Sequence, residues 1–516
     1  MNHQTLTEEQ QQQIAKAPKW AYNPYAESHT AYLRNNDVTK PAEDYFYWLS
    51  QMNKASIIIN SEEGLLDKKY AVPFAQGLHT VIKNGNTGGP RPQNIVEFEP
   101  YLIAEAGPEA SRIHAGRSSQ DMLTTASMAI MRQALLDLSA AVISIAETLN
   151  ELAEKNKETI IPAYTNGVAA QPTSYGHYLH AFIEGFCRDQ DRIQEYYQRV
   201  NRCALGSMVL NGTGWPLNRD RLASCLGFDE VFENCYDATQ IYTLEYAAET
   251  AAVCSVIALH VSNFIADIMQ QYAQTRPWIL LQEDGTSTYV SSAMPQKRNP
   301  GILNSTRTKA SSILGDCTGA VIRAHNIPSG MADARGVDLT LLVWETTNLL
   351  QEFHHILTAI HINPQRSLEE LNLDWTASQE VADLLMRKYN IPFRIGHHVA
   401  SNIVDFARKN NLYPTNFPYK EACRIYKNYT ATIDIIDIPK VFPMDEYEFK
   451  TTLDPTAIVQ HRAVKGGPQL PELKRMLTES IRKIKDYKLW HDQKSTAIAI
   501  AKKNLEAAFQ KLLKQS

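Results

Sequence analysis

Residues 128–152 read MAIMRQALLDLSAAVISIAETLNEL, and this stretch decides the fold class. Its apolar side chains recur at alternating spacings of three and four, which is the pattern of a sustained heptad seam on an α-helix. The residues of the seam are Met128, Met131, Leu135, Leu138, Val142, Ile145, Leu149 and Leu152. A helix of about 30 residues spans about 45 Å at 1.5 Å per residue, which exceeds the needs of a compact monomeric domain. We therefore predict a long helix that packs against partner helices.

The segments on either side extend this pattern to an all-α protein. Two further long helices are predicted over residues 237–275 and 338–362, and a shorter one over Ser378–Tyr389 ends before Ile391-Pro392. The predicted architecture is an elongated central bundle of long helices with smaller, mostly helical N- and C-terminal lobes. The predicted boundaries are 1–113 for the N-terminal lobe, 114–366 for the central bundle, and 367–516 for the C-terminal lobe with a helical tail.

Composition excludes several classes of protein. With 44% hydrophobic and 21% charged residues, the 516-residue chain is in the globular range. The net charge of -5 and the absence of a Lys/Arg block argue against nucleic acid as a partner. No signal-peptide pattern and no uninterrupted run of eighteen apolar residues is found, so we predict a cytoplasmic protein without a membrane span. Seven scattered cysteines and the lack of a Gly-rich nucleotide motif predict neither metal nor cofactor.

A polar segment in the second half of the chain carries the candidate chemistry. Residues 285–300 contain Ser, Thr and Gly, with no apolar run before Ile302, which predicts a loop that leads into a helix. Asn299-Pro300 is typical of a helix start, with Asn as the N-cap and Pro in the first position. The helix N-terminus and Lys297 would both attract a carboxylate. By itself, this pattern fits an anion-binding loop or simply a capped helix.

Residues 290–300 read VSSAMPQKRNP and resemble the signature Gly-Ser-Ser-x-Met-Pro-x-Lys-x-Asn-Pro of the fumarase/aspartase superfamily of lyases. Every fixed position matches except the first, where Val290 replaces glycine. The resemblance implies that Ser291 removes a proton from the carbon beside a substrate carboxylate, which leaves a dianionic aci-carboxylate. It also implies that Lys297 and Asn299 hold this carboxylate, with Ser292 in the same binding site.

Residues 114–121, HAGRSSQD, resemble the string His-Thr-Gly-Arg-Ser-Arg-Asn-Asp of argininosuccinate lyases. This resemblance assigns substrate contacts to Ser118 and Gln120. The string lies just before the heptad helix, so Ser118 or Asp121 could instead serve only as a helix cap.

A third string, residues 162–172 (PAYTNGVAAQP), resembles Pro-Gly-Tyr-Thr-His-Leu-Gln-x-Ala-Gln-Pro and is predicted to lead into a helix starting near Thr173. Thr165 fits the threonine of the family pattern. Asn166 occupies the position of a histidine that the family uses near the leaving group. The resemblance places both residues in the substrate-binding site.

Three departures from the family concern the leaving-group half of the site. Asn304 stands where the family has the glutamate that pairs with its histidine, so a titratable His/Glu pair has become Asn166 and Asn304. Two amides form hydrogen bonds but do not carry a proton near pH 7. Met331 replaces a tyrosine of the argininosuccinate lyase pattern. The carboxylate half of the site is thus predicted, while the identity of the amine stays open.

The resemblance predicts a reversible β-elimination that releases an amine and fumarate from an N-substituted aspartate, with argininosuccinate as the default substrate. One alternative keeps the chemistry with a different amine, as in a diamine-linked aspartate. The other is a catalytically silent structural protein, as in the lens crystallins that descend from argininosuccinate lyase. The resemblance further implies a homotetramer whose sites each draw on three subunits, a small dicarboxylate substrate and no cofactor.

Overall fold

The structure is a computed structural model that describes residues 7–8, 11–12, 42–331, 339–433 and 437–515. The described N-terminal region packs three helices and a 3-10 turn against the central body. Asp44 caps the first of these helices by accepting from the Tyr47 N–H at 3.0 Å. The elements are α1 (Tyr45–Glu62), α2 (Lys68–Asn86), α3 (Ile95–Ala106) and the 3-10 turn Pro108–His114.

The central body is a bundle of long helices, which confirms the predicted all-α class with an elongated helical core. Four sheets of two strands each connect the described helices, with β3–β4 parallel and the other three pairs antiparallel. The elements are α4 (Ser119–Lys155), β1 (Ile160–Thr165), β2 (Val168–Ser174), α5 (Tyr175–Val200), β3 (Arg202–Cys203), α6 (Arg219–Cys225), β4 (Glu230–Val231), a π-turn (Asp237–Ile241), α7 (Tyr242–Tyr272), β5 (Ile279–Leu281), β6 (Tyr289–Val290), β7 (Arg298–Asn299), α8 (Gly301–Ala324), α9 (Leu339–Ala359) and β8 (Ile360–Ile362).

Helix α4 contains the heptad seam, and the predicted partner helices are present. It packs against α5 and α9, and α7 packs against α5, α8 and α9. Met131, Leu135, Leu138 and Leu149 on the seam are fully buried. Burial of each such side chain contributes about 1.5–3 kcal/mol, so the seam is a major source of the stability of the bundle.

The C-terminal region forms a second, smaller hydrophobic core before the chain returns to the bundle. Trp375, Val399, Tyr426 and Phe449 are buried in this core. The predicted helix over Ser378–Tyr389 is present with those bounds. The elements are α10 (Pro364–Leu373), α11 (Ser378–Tyr389), α12 (Phe393–Lys409), the 3-10 turn Pro414–Asn416, α13 (Tyr419–Thr430), α14 (Glu446–Thr452), α15 (Pro455–Gln460) and α16 (Leu470–Leu513).

The helical tail α16 packs on the central body, where it contacts α1, α2, α4, α5 and α6. Leu473, Leu477 and Phe509 join the main core. Ion pairs of both polarities also join α16 to the rest of the chain: Lys502 of α16 pairs with Glu43, and Glu506 of α16 pairs with Lys54 of α1. The tail therefore supports the bundle, while the division of the chain into three parts stays a prediction.

Two described helices are long and apolar enough to meet the length and composition criteria for a membrane span. In the first, Ser119–Lys155, 72% of the apolar window is buried inside the protein, as in a core helix. In the second, Asp237–Tyr272, 44% is buried. This second helix leaves Leu259 and Ala252 exposed on one face.

Candidate active site

The signature segment forms a short β-hairpin with an exposed loop. Tyr289 pairs with Asn299, and Val290 pairs with Arg298. The Ser291 N–H then donates to the Lys297 carbonyl at 3.3 Å, which closes the base of the loop. Ser291 is half-buried, while Ser292 and Lys297 are exposed. The hairpin thus holds Ser291 and Lys297 opposite each other at the mouth of the loop.

The hydroxyl of Ser291 lies at the centre of a tight turn. Its Oγ accepts from the backbone N–H of Met294 at 3.2 Å and of Ala293 at 3.4 Å. Hydrogen bonds to the charged form of a group favour that form, so these donors favour the alkoxide over the hydroxyl. The residue pattern alone did not reveal these two donors, because they belong to the backbone.

The prediction that Asn299 caps the following helix is wrong. Helix α8 begins at Gly301 with Pro300 in the cap position and without a side-chain cap. Asn299 is extended, as is usual before proline, and its Nδ2 donates to the Tyr289 carbonyl at 3.3 Å. This hydrogen bond uses one of the two N–H donors of the Asn299 side-chain amide, and the loop does lead into a helix as predicted.

A second turn anchors the loop on its N-terminal side. Asp284 accepts from the N–H of Ser287 at 2.7 Å and of Thr286 at 2.9 Å. These hydrogen bonds, with that of Ser287 first, hold the pKa of Asp284 well below its usual range. Ser287 is fully buried, and its carbonyl accepts from the Ile302 N–H at 3.2 Å. The segment before the hairpin is thus hydrogen-bonded to the first turn of α8, and the segment after the hairpin leads directly into α8.

Ser118 and Gln120 lie at the N-terminus of α4, and Ser118 also has the capping role considered above. Ser118 Oγ accepts from the Gln120 N–H at 3.2 Å, while Asp121 accepts from the Ser118 N–H at 2.7 Å. Asp121 also accepts from the Gly206 N–H at 2.8 Å. Asp121 therefore joins this string to the loop at Gly206, a role that the sequence indicated only through its capping spacing.

Burial dominates the electrostatics around this helix start. It raises the pKa of Asp121 to about 7, although the N–H groups of Ser118 and Gly206 lower it. Burial lowers the pKa of Arg117 to about 10 and, together with the charge of Arg117, lowers the pKa of His114 to about 4. The folded protein therefore favours a neutral imidazole at His114.

We expect His114 to reduce stability in acid. Between pH 6.5 and about 4, the imidazole of His114 binds a proton in the unfolded chain but not in the folded chain. The free energy of unfolding is therefore unaffected by this group above pH 6.5 and decreases as the pH falls through this window. His114→Gln should therefore lose less thermal stability than the wild type on acidification, as measured by melting temperature across this window. The exposed His461→Gln serves as the control, and an identical acid slope for His114→Gln and wild type would refute the prediction.

Thr165 and Asn166 lie at the tip of the β1–β2 hairpin. Thr165 pairs with Val168, and the two residues between them are Asn166 and Gly167, with φ of 51° and 77°. Asn-Gly is the preferred pair for a tight hairpin turn in which both residues have positive φ. Both Thr165 and Asn166 are exposed. The hairpin was not predicted, and α5 begins at Tyr175 instead of near Thr173.

Within a single chain, the candidate site segments lie at opposite ends of the helical bundle. Helix α4 has 37 residues, or about 55 Å, between Ser118 and the start of the β1–β2 hairpin. The signature loop follows β5, which pairs with β8 at the far end of α9. At the other end, Asp121 of α4 accepts from the Gly206 N–H at 2.8 Å, and Arg219 joins the adjacent Leu205 carbonyl at 3.1 Å to Cys235 Sγ at 3.7 Å. Tyr236, the next residue, bonds Ser329 at 2.9 Å. A single chain therefore does not bring Ser118 and Gln120 together with Ser291.

The departures from the family pattern are also separated. Asn304 lines a groove of about 990 Å³ between α8 and α9, together with Tyr289, Lys309 and Glu345. Met331 is 57% exposed and lies near the Ser118 end of the bundle, where its N–H donates to the Pro328 carbonyl at 2.9 Å. No hydrogen bond among the described residues joins Asn166 to Asn304. Among the described residues, no group of three or more His, Cys, Asp or Glu could hold a metal ion.

Comparison with known proteins agrees with this fold. Residues 93–315 match the Lyase family, and residues 375–459 match the argininosuccinate lyase C-terminal family. The chain is 28% identical over 448 residues to the argininosuccinate lyase of Methanocaldococcus jannaschii, covering 85% of this chain and 89% of that one. It is 27% identical over 427 residues to the argininosuccinate lyase of Bacillus subtilis, covering 81% and 88%.

Among solved structures, a variant of EDDS lyase with bound fumarate superposes with a TM-score of 0.81 and 25% identity, covering 97% of this chain and 98% of that one. The chain belongs to the fumarase/aspartase superfamily of lyases. Within it, the chain is argininosuccinate lyase-like and is a carbon–nitrogen lyase whose reaction eliminates an amine to give fumarate.

Proposed function

We propose that this enzyme cleaves argininosuccinate reversibly to arginine and fumarate, with Ser291 as the general base. The observation that carries the proposal is the turn in which the Met294 and Ala293 N–H groups donate to Ser291 Oγ. A serine hydroxyl is a weak base unless its alkoxide is stabilised, and fixed backbone donors supply that stabilisation without reorganisation.

In the proposed reaction, the Ser291 alkoxide takes the proton from the carbon beside a substrate carboxylate. The electron pair moves into that carboxylate and gives a dianionic aci-carboxylate, which the Lys297 ammonium and the Asn299 amide stabilise. Collapse of this species breaks the carbon–nitrogen bond and forms the double bond of fumarate. Lys297 is exposed beside the loop, and none of the described carboxylates pairs with it, so its charge is available for the substrate.

The departing amine must gain a proton, and neither Asn166 nor Asn304 supplies one near pH 7. Either a different group donates this proton or the amine leaves without much help. This difference, together with Met331, favours a second candidate, in which the chemistry is kept but the amine is not arginine. The catalytically silent alternative rests on the same two asparagines, but a silent protein has no need for Ser291 to lie in a turn of backbone donors.

One experiment separates the three candidates. Purified protein is mixed with fumarate and a panel of amines that contains arginine and several diamines, and fumarate absorbance is followed. Argininosuccinate and EDDS are tested in the reverse sense, by the appearance of fumarate. Consumption of arginine supports the proposal, and consumption of a diamine but not of arginine supports the second candidate. If neither direction proceeds with any compound, the catalytic proposals fail.

We further propose a cytoplasmic homotetramer in which each site takes Ser118 and Gln120, Thr165 and Asn166, and the signature loop from three subunits. Support comes from the length of α4, which keeps Ser118 about 55 Å from the β1–β2 hairpin of its own chain. The exposed apolar side of α7 is a surface that such an assembly would cover.

Mixing two inactive variants should restore activity if the sites are shared. Ser118→Ala and Ser291→Ala lie in different segments, so a site in a mixed tetramer is intact when each segment comes from the unaltered chain. Random mixing at equal amounts then restores about one quarter of the wild-type activity. The two variants are denatured, mixed and refolded, and each variant treated alone is the control. Recovery no greater than in the controls would contradict the sharing of sites.

A further inference from the structure

Arg298 occupies a position of the signature to which neither the family pattern nor the proposed reaction assigns a role. Its Nε donates to Glu283 Oε2 at 2.7 Å, and its Nη1 donates to the Pro295 carbonyl at 2.8 Å. A longer hydrogen bond of 3.4 Å joins Nη1 to the Lys297 carbonyl. One guanidinium thus connects a residue before the hairpin to two carbonyls inside the loop.

The Lys297 carbonyl links Arg298 to the proposed base. The same oxygen accepts from the Ser291 N–H at 3.3 Å and closes the mouth of the loop. Arg298 therefore fixes the carbonyl that fixes the backbone of Ser291. The Pro295 carbonyl lies one residue beyond Met294, whose N–H donates to Ser291 Oγ. A shift in this part of the loop would move both the base and its donors.

The chemistry of the side chain suits this arrangement. A guanidinium is planar and carries five N–H donors in fixed directions, so it can serve a carboxylate and two carbonyls at once, which an ammonium on a flexible stem does less well. Arg298 and Glu283 have side-chain exposures of 35% and 62%, and an exposed ion pair contributes little to folding stability. The effect of this pair should thus lie in loop geometry more than in global stability.

We propose that Arg298 is a positioning residue that holds Ser291 and Lys297 in their reactive arrangement, and that Glu283 orients its guanidinium. This proposal rests on the proposed function of the loop. Arg298 does not take part in proton transfer and acts only through the backbone at Pro295 and Lys297. A misplacement of about 1 Å in an active site can cost about 10²-fold in rate, which sets the size of the expected effect.

Arg298→Ala is the first test, with fumarate formation and loop hydrogen exchange as the two measurements. We expect kcat to fall about 10²-fold with a smaller change in KM, because the group positions the base and does not touch substrate. Exchange of the backbone amides of residues 291–297 should become faster, while the melting temperature stays near that of the wild type. Added guanidinium ion should restore part of kcat in this variant, whereas ammonium ion should restore less.

Two further variants separate positioning from loss of charge or of fold. Arg298→Lys keeps the charge and should recover only part of the rate, and the double exchange Glu283→Arg with Arg298→Glu should be more active than Arg298→Glu alone. Arg408→Ala, an exposed arginine on α12, removes the same charge far from the loop and is the control.

A wild-type kcat in Arg298→Ala, or unchanged exchange of residues 291–297, would overturn the proposal. If Arg298→Ala does not fold, the comparison of Arg298→Glu with the double exchange decides by the same two measurements. If the wild type acts on none of the amines, the proposed function fails, and hydrogen exchange alone then decides whether Arg298 holds the loop.

Discussion

Ser291→Ala should lower kcat for fumarate release by about 10²–10⁴-fold, the range typical for the loss of a general base. The variant removes the Oγ that the Met294 and Ala293 N–H groups hold at 3.2 and 3.4 Å, and no other group on the exposed loop is held in the same way. The measurement is the steady-state rate of fumarate formation from whichever substrate the amine panel identifies. Binding of fumarate should change much less than the rate, because the carboxylate-holding groups are still present.

Ser292→Ala is the matched control for this variant. The two serines are neighbours on the same loop and lose the same atom, but Ser292 is exposed and its proposed role is substrate contact only. We expect Ser292→Ala to raise KM more than it lowers kcat. If Ser291→Ala kept its rate within a few-fold of the wild type, Ser291 would not be the base, and the two N–H donors would serve only to shape the turn.

Lys297→Ala should lower kcat/KM by about 10²–10³-fold, as expected when one preorganised donor to a developing negative charge is lost. The charge on the carboxylate doubles when the aci-carboxylate forms, so the ammonium stabilises the transition state more than the bound substrate. The loss should therefore appear in kcat as well as in KM. Fumarate binding, measured by calorimetry, should also weaken in this variant.

Lys409→Ala controls for the loss of one positive charge, because Lys409 is exposed at the end of α12 in the C-terminal region. It should leave both kinetic constants unchanged. Lys297→Arg keeps the charge but changes the shape and hydration of the cation, so it should recover only part of the activity. Full activity in Lys297→Ala would show that Lys297 does not hold the carboxylate.

Much of the fold could be predicted from the sequence because helix formation depends on local pattern. The seam of α4 repeats over many turns, and each turn adds to the same apolar face, so a few atypical residues do not hide the pattern. The helix over Ser378–Tyr389 was similarly marked by Ile391-Pro392. Short elements were harder, since the β1–β2 hairpin depends on pairing across a tight turn at Asn166-Gly167 more than on periodicity.

The error at Asn299 shows why residue type alone did not fix the local geometry. Asn before Pro favours a helix start when the segment is considered alone. In the folded chain, Asn299 instead pairs with Tyr289 across the hairpin, and the helix begins two residues later. The pairing of Asn299 with Tyr289, ten positions away, thus overrode the local preference of Asn-Pro for a helix start.

The sequence by itself determined the chemical groups and the class of protein. Ser291, Lys297 and Asn299 at fixed spacing identify the superfamily, because functional groups that lie on one loop form a continuous sequence motif. The neutral residues Asn166 and Asn304 could also be recognised from the sequence as departures from the family pattern. Both conclusions depend on residue identity and order, which the chain carries whatever its conformation.

Only the tertiary structure decided where these groups lie. The backbone donors to Ser291 Oγ, the contacts of Arg298 with Glu283 and Pro295, and the link from Asp121 to Gly206 depend on dihedral angles and on distant segments. The length of α4, about 55 Å, separates Ser118 from the other site segments. This separation follows from the fold, in which the hairpin and the signature loop lie at the end of the bundle opposite Ser118. A rigid helix converts sequence distance into spatial distance, and for this reason the proposed site would need more than one copy of the chain.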